Sequence, residues 1–525
     1  MAEKNSKTRL VFAALMMAFF TILSRIAGLA REVVRAHYLG TSMIADAFTI
    51  AFMIPNLFRR LVGEGAMTAA AVPVMMDEMK SGGVARLNEV VNAFFTLFTF
   101  ILTGLCLIFI LGASLWVEGI FARGFADDAV KMALTVELTQ YMFFYLLFIG
   151  LAAVLQSVLN SFKIFGPSSF TPILLNLAII LCAMLLSDYF SSPVYAFVIG
   201  VMIGGFLQLV FQVPYVRKAG VTLKPSFKWR DPAVVKILHL MLPGLVGAGI
   251  YQVNVLVSQM ISTYLEEGAV SSLQFSARLM EFTLGVFVVT ISTAILPTLA
   301  GQVRDGETQA YRKTLEFSMG LVAIITIPST IALIAIRYPL INLLFRTGAF
   351  DENSVDLTAW AFLFHTLGLY FIGIGRILVP AFYSKKDMTT PVKAAAVSMI
   401  VNLLFCVLLF RPLANGGIAL ANTLSALAQS AFLFVFVSRM IGELDLRRLS
   451  ISVIKITVAS LIAGAVCVIG MRAFDFEHCI ARPVLIPGLT IIGIAFCLVF
   501  LGAAVLLRCP EINDLLRMAR RKRNS

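Results

Sequence analysis

The chain has 525 residues, 59% of them hydrophobic and only 14% charged, with a formal net charge of +13 and a mean hydropathy of +0.92. Soluble domains carry about 25% charged residues, so this composition excludes a soluble globular protein and points to a polytopic membrane protein. The seven cysteines (Cys106, Cys182, Cys406, Cys467, Cys479, Cys497, Cys509) stand singly, mostly in apolar runs. They offer neither a disulfide framework nor a zinc motif and read as small core residues.

The first apolar run, Leu10 to Leu23, leads into Ser24-Arg25-Ile26 without an Ala-x-Ala-like cleavage site and is expected to remain as a helix. A bilayer core takes about 20 apolar residues per helix. Runs of that kind predict 14 transmembrane helices, at 10–35, 43–76, 88–117, 132–161, 170–187, 193–215, 238–264, 272–300, 314–336, 357–384, 394–410, 418–438, 456–471 and 484–507. Alternating polarity is missing, and only helices or closed barrels satisfy the backbone in lipid, so the fold class expected is an all-α polytopic membrane protein.

With the N-terminus placed in the cytoplasm, the segments on that side hold 28 Lys and Arg and the opposite loops hold 7, namely Arg123, Lys131, Arg337, Arg346, Arg411, Arg472 and Arg482. The positive-inside rule then puts both termini in the cytoplasm. It also assigns the basic tail Arg520-Arg521-Lys522-Arg523 to topology or anionic-lipid contact rather than to nucleic acid.

Six spans precede a polar, basic segment containing Pro225 and Pro232, six follow it, and two more complete the chain. The expected domains are an N-terminal lobe (1–216), a cytoplasmic amphipathic linker (217–237), a C-terminal lobe (238–440) and a tail region with two additional helices (441–525). Thr171-Pro172 and Thr390-Pro391 are read as openings of equivalent helices, and Pro73 and Pro297 as lying near equivalent helix ends. Their offsets of 219 and 224 favour a duplicated, pseudo-symmetric architecture.

The remaining seven cations, Arg25, Arg31, Arg35, Arg59, Arg60, Arg278 and Arg376, fall within or against membrane-length segments, and no lysine is read there. A charge at that depth costs about 2.5–3.5 kcal/mol, so each is a functional-site hypothesis. Arg25 and Arg31, six residues apart, are separated by roughly 240° of net rotation, so α-helical geometry requires either a bend near Gly28 or a broad cavity. On the second helix Asp46, Asn56, Arg59, Arg60 and Glu64 interrupt an apolar run; Arg60 and Glu64 are spaced i, i+4, which leaves Arg59 the freer cation. Arg278 and Glu281 are spaced i, i+3. The ordinary alternative is structural ion pairing or snorkelling, preferred for Arg35 and Arg60 and left open for Arg376. Arg25, Arg31, Arg59 and Arg278 are read as anion ligands, because Glu32, Asp46, Glu64 and Glu281 do not cover them all and a guanidinium fork suits phosphate.

At these same residues the chain resembles the MurJ (MviN) family, the lipid II flippases of bacterial cell-wall synthesis. The matching text is Ser24-Arg25-Ile26-Ala27-Gly28-Leu29-Ala30-Arg31-Glu32, Ala45-Asp46-Ala47-Phe48, Ile54-Pro55-Asn56-Leu57-Phe58-Arg59-Arg60 with Gly63-Glu64-Gly65-Ala66, and Arg278-Leu279-Met280-Glu281-Phe282. Phe165-Gly166-Pro167 and Phe382-Tyr383-Ser384 with Asp387 extend it to the eleventh helix. The resemblance implies two six-helix lobes, plus two C-terminal helices shaping a groove for a polyprenyl tail. It implies a cavity in which Arg25, Arg31, Arg59 and Arg278 bind a pyrophosphate headgroup, with Asp46, Asn56 and Glu64 nearby. Glu281 takes over as partner to Arg278, because Ala277 stands where some members have aspartate. Some members bind sodium through second-lobe acids; here Asn254 and Asn402 stand there without an aspartate, and no metal ligand is assigned.

The implied activity is alternating-access translocation of lipid II by a functional monomer, with lipid II and membrane lipids as partners and with no cofactor and no nucleic acid. No Gly-Lys pair exists to build a Walker A loop. A multidrug antiporter would want acidic cavity residues instead. An intramembrane lipid-pyrophosphate enzyme would need a base or metal-binding carboxylates. The acidic doublet Asp127-Asp128 lies in a predicted outer loop, and His37, His239, His365 and His478 read as isolated.

Overall fold

The computed structural model describes residues 2–61, 67–442, 444–476 and 479–512. Its long elements are all helical, as the backbone requirement in lipid dictates. Two compact units divide the chain, Met1–Ser271 and Ser272–Ser525.

The first unit contains α1 (Ala2–Leu39), α2 (Met43–Leu61), α3 (Met67–Leu111), the short α4 (Ala113–Trp116), α5 (Ala129–Phe143), α6 (Tyr145–Ser161), α7 (Gly166–Leu186), α8 (Val194–Val210), the short α9 (Val213–Lys218) and α10 (Pro232–Ser262). The second begins in the first turn of α11 (Ala269–Arg304) and continues with α12 (Thr308–Ala335), α13 (Arg337–Phe345), α14 (Glu352–Leu367), α15 (Leu369–Ser384), α16 (Thr389–Ile441), α17 (Leu446–Ala473) and α18 (Arg482–Leu506). Among the described residues 8 helical stretches are long and apolar enough to cross a membrane, and the pair α14 and α15, bent by 43°, makes a ninth.

Of the four prolines that the sequence reading placed at helix openings or ends, Pro391 stands at one, in the first turn of α16, and the other three lie inside helices. Pro73 lies inside α3, Pro172 inside α7 and Pro297 inside α11. Neighbouring helices and hydroxyl side chains re-satisfy the backbone groups a proline frees, so a membrane helix tolerates it. The breaks come elsewhere. Within α3 the backbone leaves helical geometry at Gly83 (φ 67°), a left-handed value that favours glycine. Within α16 it does so at Ala414 (φ 49°), between the two spans predicted at 394–410 and 418–438.

Helices in lipid associate through close packing rather than through exclusion of water, and small residues allow that approach. Gly200 and Gly204, four apart on α8, face α7 so closely that a Cβ on Gly200 would lie 2.7 Å from the Ile179 Cα and one on Gly204 3.0 Å from the Leu175 Cα. In the second unit a Cβ on Gly464 of α17 would lie 2.5 Å from Ile331 of α12. Buried apolar side chains fill the remaining space: Phe94, Leu146 and Val154 between α3 and α6, Phe48, Met142 and Phe197 among α2, α5 and α8, and Leu315, Ile377 and Leu433 among α12, α15 and α16.

The linker lies along α3. Three acceptors spaced four apart, Asn88 Oδ1, Asn92 Oδ1 and Thr96 Oγ1, receive the backbone N–H groups of Thr222, Lys224 and Ser226 at 2.9, 2.9 and 3.0 Å. Four helical residues advance about 6 Å and two extended residues about 6.6 Å, so the two registers match. The strap ends at Asp231, which accepts from Ala233 N at the start of α10 and takes Arg86 bidentately at 2.7 and 2.9 Å. Arg86 Nε also donates to Glu78 at 2.8 Å. The Arg86 hydrogen bonds hold the Asp231 carboxyl below its ordinary value and push the Arg86 guanidinium higher still.

Two outcomes follow from this packing. Gly200→Val should lower the apparent melting midpoint by an amount corresponding to about 1–3 kcal/mol, whereas Gly493→Val, where an added Cβ meets nothing within 4 Å, should not. Equal midpoints would contradict the close α7–α8 approach. Arg86→Gln should destabilise the detergent-solubilised protein by about 1–3 kcal/mol at neutral pH. Because Asp231 titrates lower folded than unfolded, its contribution is complete above the ordinary value of 3.8 and is lost as the pH falls through the depressed one. The gap between wild type and Arg86→Gln should therefore persist down to about pH 4 and close below it, measured as midpoint against pH.

Candidate functional site

Cations carried on apolar helices take their partners from the surrounding protein. In the first unit α1 runs unbroken through Gly28, where an added Cβ would meet only the Asn176 amide nitrogen, at 3.8 Å. Arg25 and Arg31 therefore leave one continuous helix on different faces, and both are half-buried. The Asn176 amide donates to the Ser24 carbonyl at 3.3 Å, joining α7 to α1 beside Arg25.

Of the acids that the sequence offered to these arginines, Glu32 stands against Arg31. Arg31 Nη2 donates to Glu32 Oε1 at 2.6 Å, while Arg35 Nη1 stands 3.3 Å from Glu32 Oε2. Adjacent helical residues do not ordinarily face each other, but the long arginine side chain folds back onto its neighbour. Glu32 is 1% exposed and collects two guanidinium groups, so the trio carries more positive than negative charge.

On α2 the Arg59 Nε donates to Asn56 Oδ1 at 2.8 Å, one turn earlier, which orients a half-buried guanidinium. Glu64, the expected partner of Arg60 and a candidate site residue, lies outside the described residues.

Asp46, read as a polar neighbour of the site, meets a cation and two backbone groups. It is fully buried in the first turn of α2. Its Oδ2 accepts from Lys131 Nζ at 2.9 Å and from Gly268 N at 2.8 Å, and its Oδ1 accepts from Ser271 N at 2.9 Å. Lys131 was expected in an outer loop, with arginine as the only embedded cation; it is instead buried in the first turn of α5. Asp128 caps that helix by accepting from Lys131 N at 2.9 Å, and the ammonium lies 4.1 Å from the centre of the Phe125 ring. The hydropathy window placed Lys131 outside because it precedes the apolar run by one residue. Only the Asp128 cap could have shown that the helix starts earlier.

The 263–271 segment is fastened nearby at two further points. Glu267 Oε1 accepts from Met43 N at 2.6 Å, and Thr263 Oγ1 accepts from Gly124 N at 3.1 Å. A Cβ on Gly124 would stand 2.4 Å from the Thr263 carbonyl carbon, so only glycine fits.

In the second unit Arg278 Nη1 pairs with Glu281 Oε2 at 2.9 Å, as the i, i+3 spacing predicts. Both side chains are partly exposed, 29% and 43%, so the pair contributes little stability. Arg376 is tied through its main chain, its carbonyl accepting from Ser292 Oγ at 2.7 Å. His365, read as isolated, is buried with Nδ1 2.7 Å from Ser276 Oγ and Nε2 3.5 Å from Asn422 Nδ2. Eighty-nine residues separate Ser276 from His365, and no sequence spacing announces such a contact. Asn402 is buried with the Cys406 thiol 3.7 Å from its Oδ1.

Chemically, Arg25, Arg31 and Arg59 in one unit and Arg278 in the other are guanidinium groups held half-buried on apolar helices. Their neighbours orient them: Glu32 for Arg31, Asn56 for Arg59 and Glu281 for Arg278. Such groups suit a compact oxyanion. The acidic doublet that the sequence singled out contributes Asp128 to a helix cap.

Residues 35–478 match the family model described as Lipid II flippase MurJ. A Treponema pallidum protein named probable lipid II flippase MurJ is 37% identical over 471 residues, covering 87% of this chain and 88% of its own. The Burkholderia cenocepacia lipid II flippase MurJ is 35% identical over 427 residues, covering 81% and 83%. Among solved structures, a lipid II flippase MurJ in an inward closed conformation superposes with a TM-score of 0.77 at 24% identity, over 94% of this chain and 99% of the other. An inward-facing multidrug resistance MATE family transporter of the MOP superfamily gives 0.64 at 11% identity, over 82% and 98%. The structural likenesses establish a shared polytopic helical fold, and the match across most of the sequence establishes kinship: the chain belongs to the MurJ family of lipid II flippases.

Proposed function

We propose that this chain is itself a lipid II flippase, moving the undecaprenyl-pyrophosphate-linked peptidoglycan precursor from the inner to the outer leaflet of the bacterial cytoplasmic membrane by alternating access. The observation that carries the reading is the set of half-buried arginines, Arg25, Arg31, Arg59 and Arg278, on apolar helices of a MurJ-family chain. Each costs about 2.5–3.5 kcal/mol to embed, and a pyrophosphate offers enough oxygens to engage several guanidinium forks. Asn56 and Glu281 orient the Arg59 and Arg278 guanidinium groups.

The proposed layout has 14 transmembrane helices in two six-helix lobes with two additional helices, both termini cytoplasmic, the chain acting as a monomer. The break at Ala414, which divides α16 into two helices, supports that count. An apolar crevice of about 410 Å³ in the second unit, lined by Met319, Tyr370, Ile374, Phe434, Leu449 and Val453, supports a place for the lipid tail. Asp46 serves as a latch in this scheme. By holding Gly268 and Ser271 it fixes the start of α11 to α2 and α5.

Reconstituted in vesicles with labelled lipid II at equal protein, Arg25→Ala, Arg59→Ala and Arg278→Ala should each slow translocation about tenfold or more, the loss of a hydrogen bond to a charged group. Arg278→Lys should retain part of the rate. Wild-type rates in all of these variants would end the clamp proposal.

The latch has its own test. Lys131→Met leaves a buried carboxylate without its cation and should destabilise the protein by about 3–5 kcal/mol. Asp46→Asn combined with Lys131→Met removes both charges and should recover most of the melting midpoint. A double variant no more stable than Lys131→Met would contradict the pairing.

A further inference from the structure

The linker strap carries a feature that translocation does not use. Where it leaves its last backbone contact on α3, Phe227 and Trp229 gather against Phe100, one helical turn beyond Thr96. The ring centroids are 6.3 Å apart for Phe100 and Phe227, 5.7 Å for Phe100 and Trp229, and 5.8 Å for Phe227 and Trp229. All three rings are exposed, Phe227 by 68%. Interleaved with them are Lys224, Lys228 and Arg230, also exposed.

Three large rings exposed together would be a liability in water. On a chain that crosses a bilayer they mark the level of the headgroups, where an indole sits with its apolar body among acyl chains and its N–H among polar groups. The charges select the lipid. Residues 77–89 and 217–236 hold eight cations against four carboxylates. Arg86 by itself meets three of those carboxylates, Glu78 and Asp231 closely and Glu89 at 3.4 Å. Lys228 approaches Glu89 only to 3.9 Å, with both side chains more than half exposed, a contact that water and salt screen. The hydrogen bonds to Asn88, Asn92 and Thr96 and the Arg86–Asp231 bridge fix the strap on both sides of the rings, so the surface is built before any lipid arrives.

We propose that Phe100, Phe227 and Trp229 with Lys224, Lys228 and Arg230 form a binding site for the anionic headgroups of glycerophospholipids in the leaflet that the charge asymmetry identifies as cytoplasmic. The rings enter the acyl boundary and the cations engage the phosphate. The site holds lipid as an anchor, and it stands independently of the arginines assigned to lipid II.

The chain has three tryptophans, so Trp116→Phe with Trp360→Phe leaves Trp229 as the reporter. The protein is reconstituted into phosphatidylcholine vesicles containing equal fractions of either brominated phosphatidylglycerol or brominated phosphatidylcholine. Trp229 should be quenched by both, and about twofold or more strongly by the anionic lipid. Adding Lys224→Gln, Lys228→Gln and Arg230→Gln, or raising the salt, should bring the two to equality while quenching persists. Equal quenching in the parent protein overturns the selectivity. Absence of quenching by either lipid overturns the membrane contact. Should the double tryptophan variant not fold, the difference in quenching between wild type and Trp229→Phe reads the same quantity.

Discussion

A charge surrounded by hydrocarbon must be met by a fixed opposite charge or by oriented dipoles, and much of this structure is arranged around that requirement. The clearest case is Asp46. Removed entirely from solvent, it receives one ammonium and two backbone N–H groups, so both of its oxygens are occupied. Buried pairs of this kind are weak sources of net stability, because desolvation offsets most of the attraction, but they are exacting about position. Four parts of the first unit, α2, α5 and the residues before and within the first turn of α11, are brought to one point by that demand. Glu32 repeats it on α1, holding Arg31 and Arg35 together.

The same requirement separates the embedded arginines by what accompanies them. Arg35 is buried against a buried carboxylate, as a structural cation should be. Arg31 shares that carboxylate but stays more exposed. Arg59 and Arg278 are steadied by short-range partners, Asn56 and Glu281, one turn away on their own helices. A partner on the same helix fixes the direction of a guanidinium without surrounding it. Both guanidinium groups stay half-buried, unlike the buried ammonium of Lys131 beside Asp46 and Phe125.

Backbone groups impose a parallel constraint. Among the described residues the strap from Val221 to Ser226 has no strand partner, and a helix supplies what a sheet would have supplied, through side chains spaced at its own period. The pattern Asn88, Asn92, Thr96, Phe100 thus runs from backbone acceptors into an aromatic contact along one stripe of α3, and Asp231 closes the arrangement while capping α10. Close helix contacts follow the same economy: Gly200 and Gly204 let α8 approach α7 at backbone distance, so little side-chain volume intervenes.

Hydropathy determined the helical membrane class, and the motifs around the embedded arginines carried the family resemblance, because both depend on residue type and local order. The i, i+3 pair Arg278–Glu281 was legible for the same reason, since one helix turn fixes its geometry. Tertiary structure alone decided the rest. Asp46 and Lys131 are 85 residues apart, Ser276 and His365 are 89 apart, and Arg86 and Asp231 are 145 apart. In each, the identity of the partner depends on which helices pack side by side, a global property that local periodicity does not encode. Whether a proline ends a helix proved to be of that kind as well: Pro73 and Pro297 lie inside continuing helices, which membrane helices tolerate when their surroundings satisfy the backbone, while the breaks fall at Gly83 and Ala414.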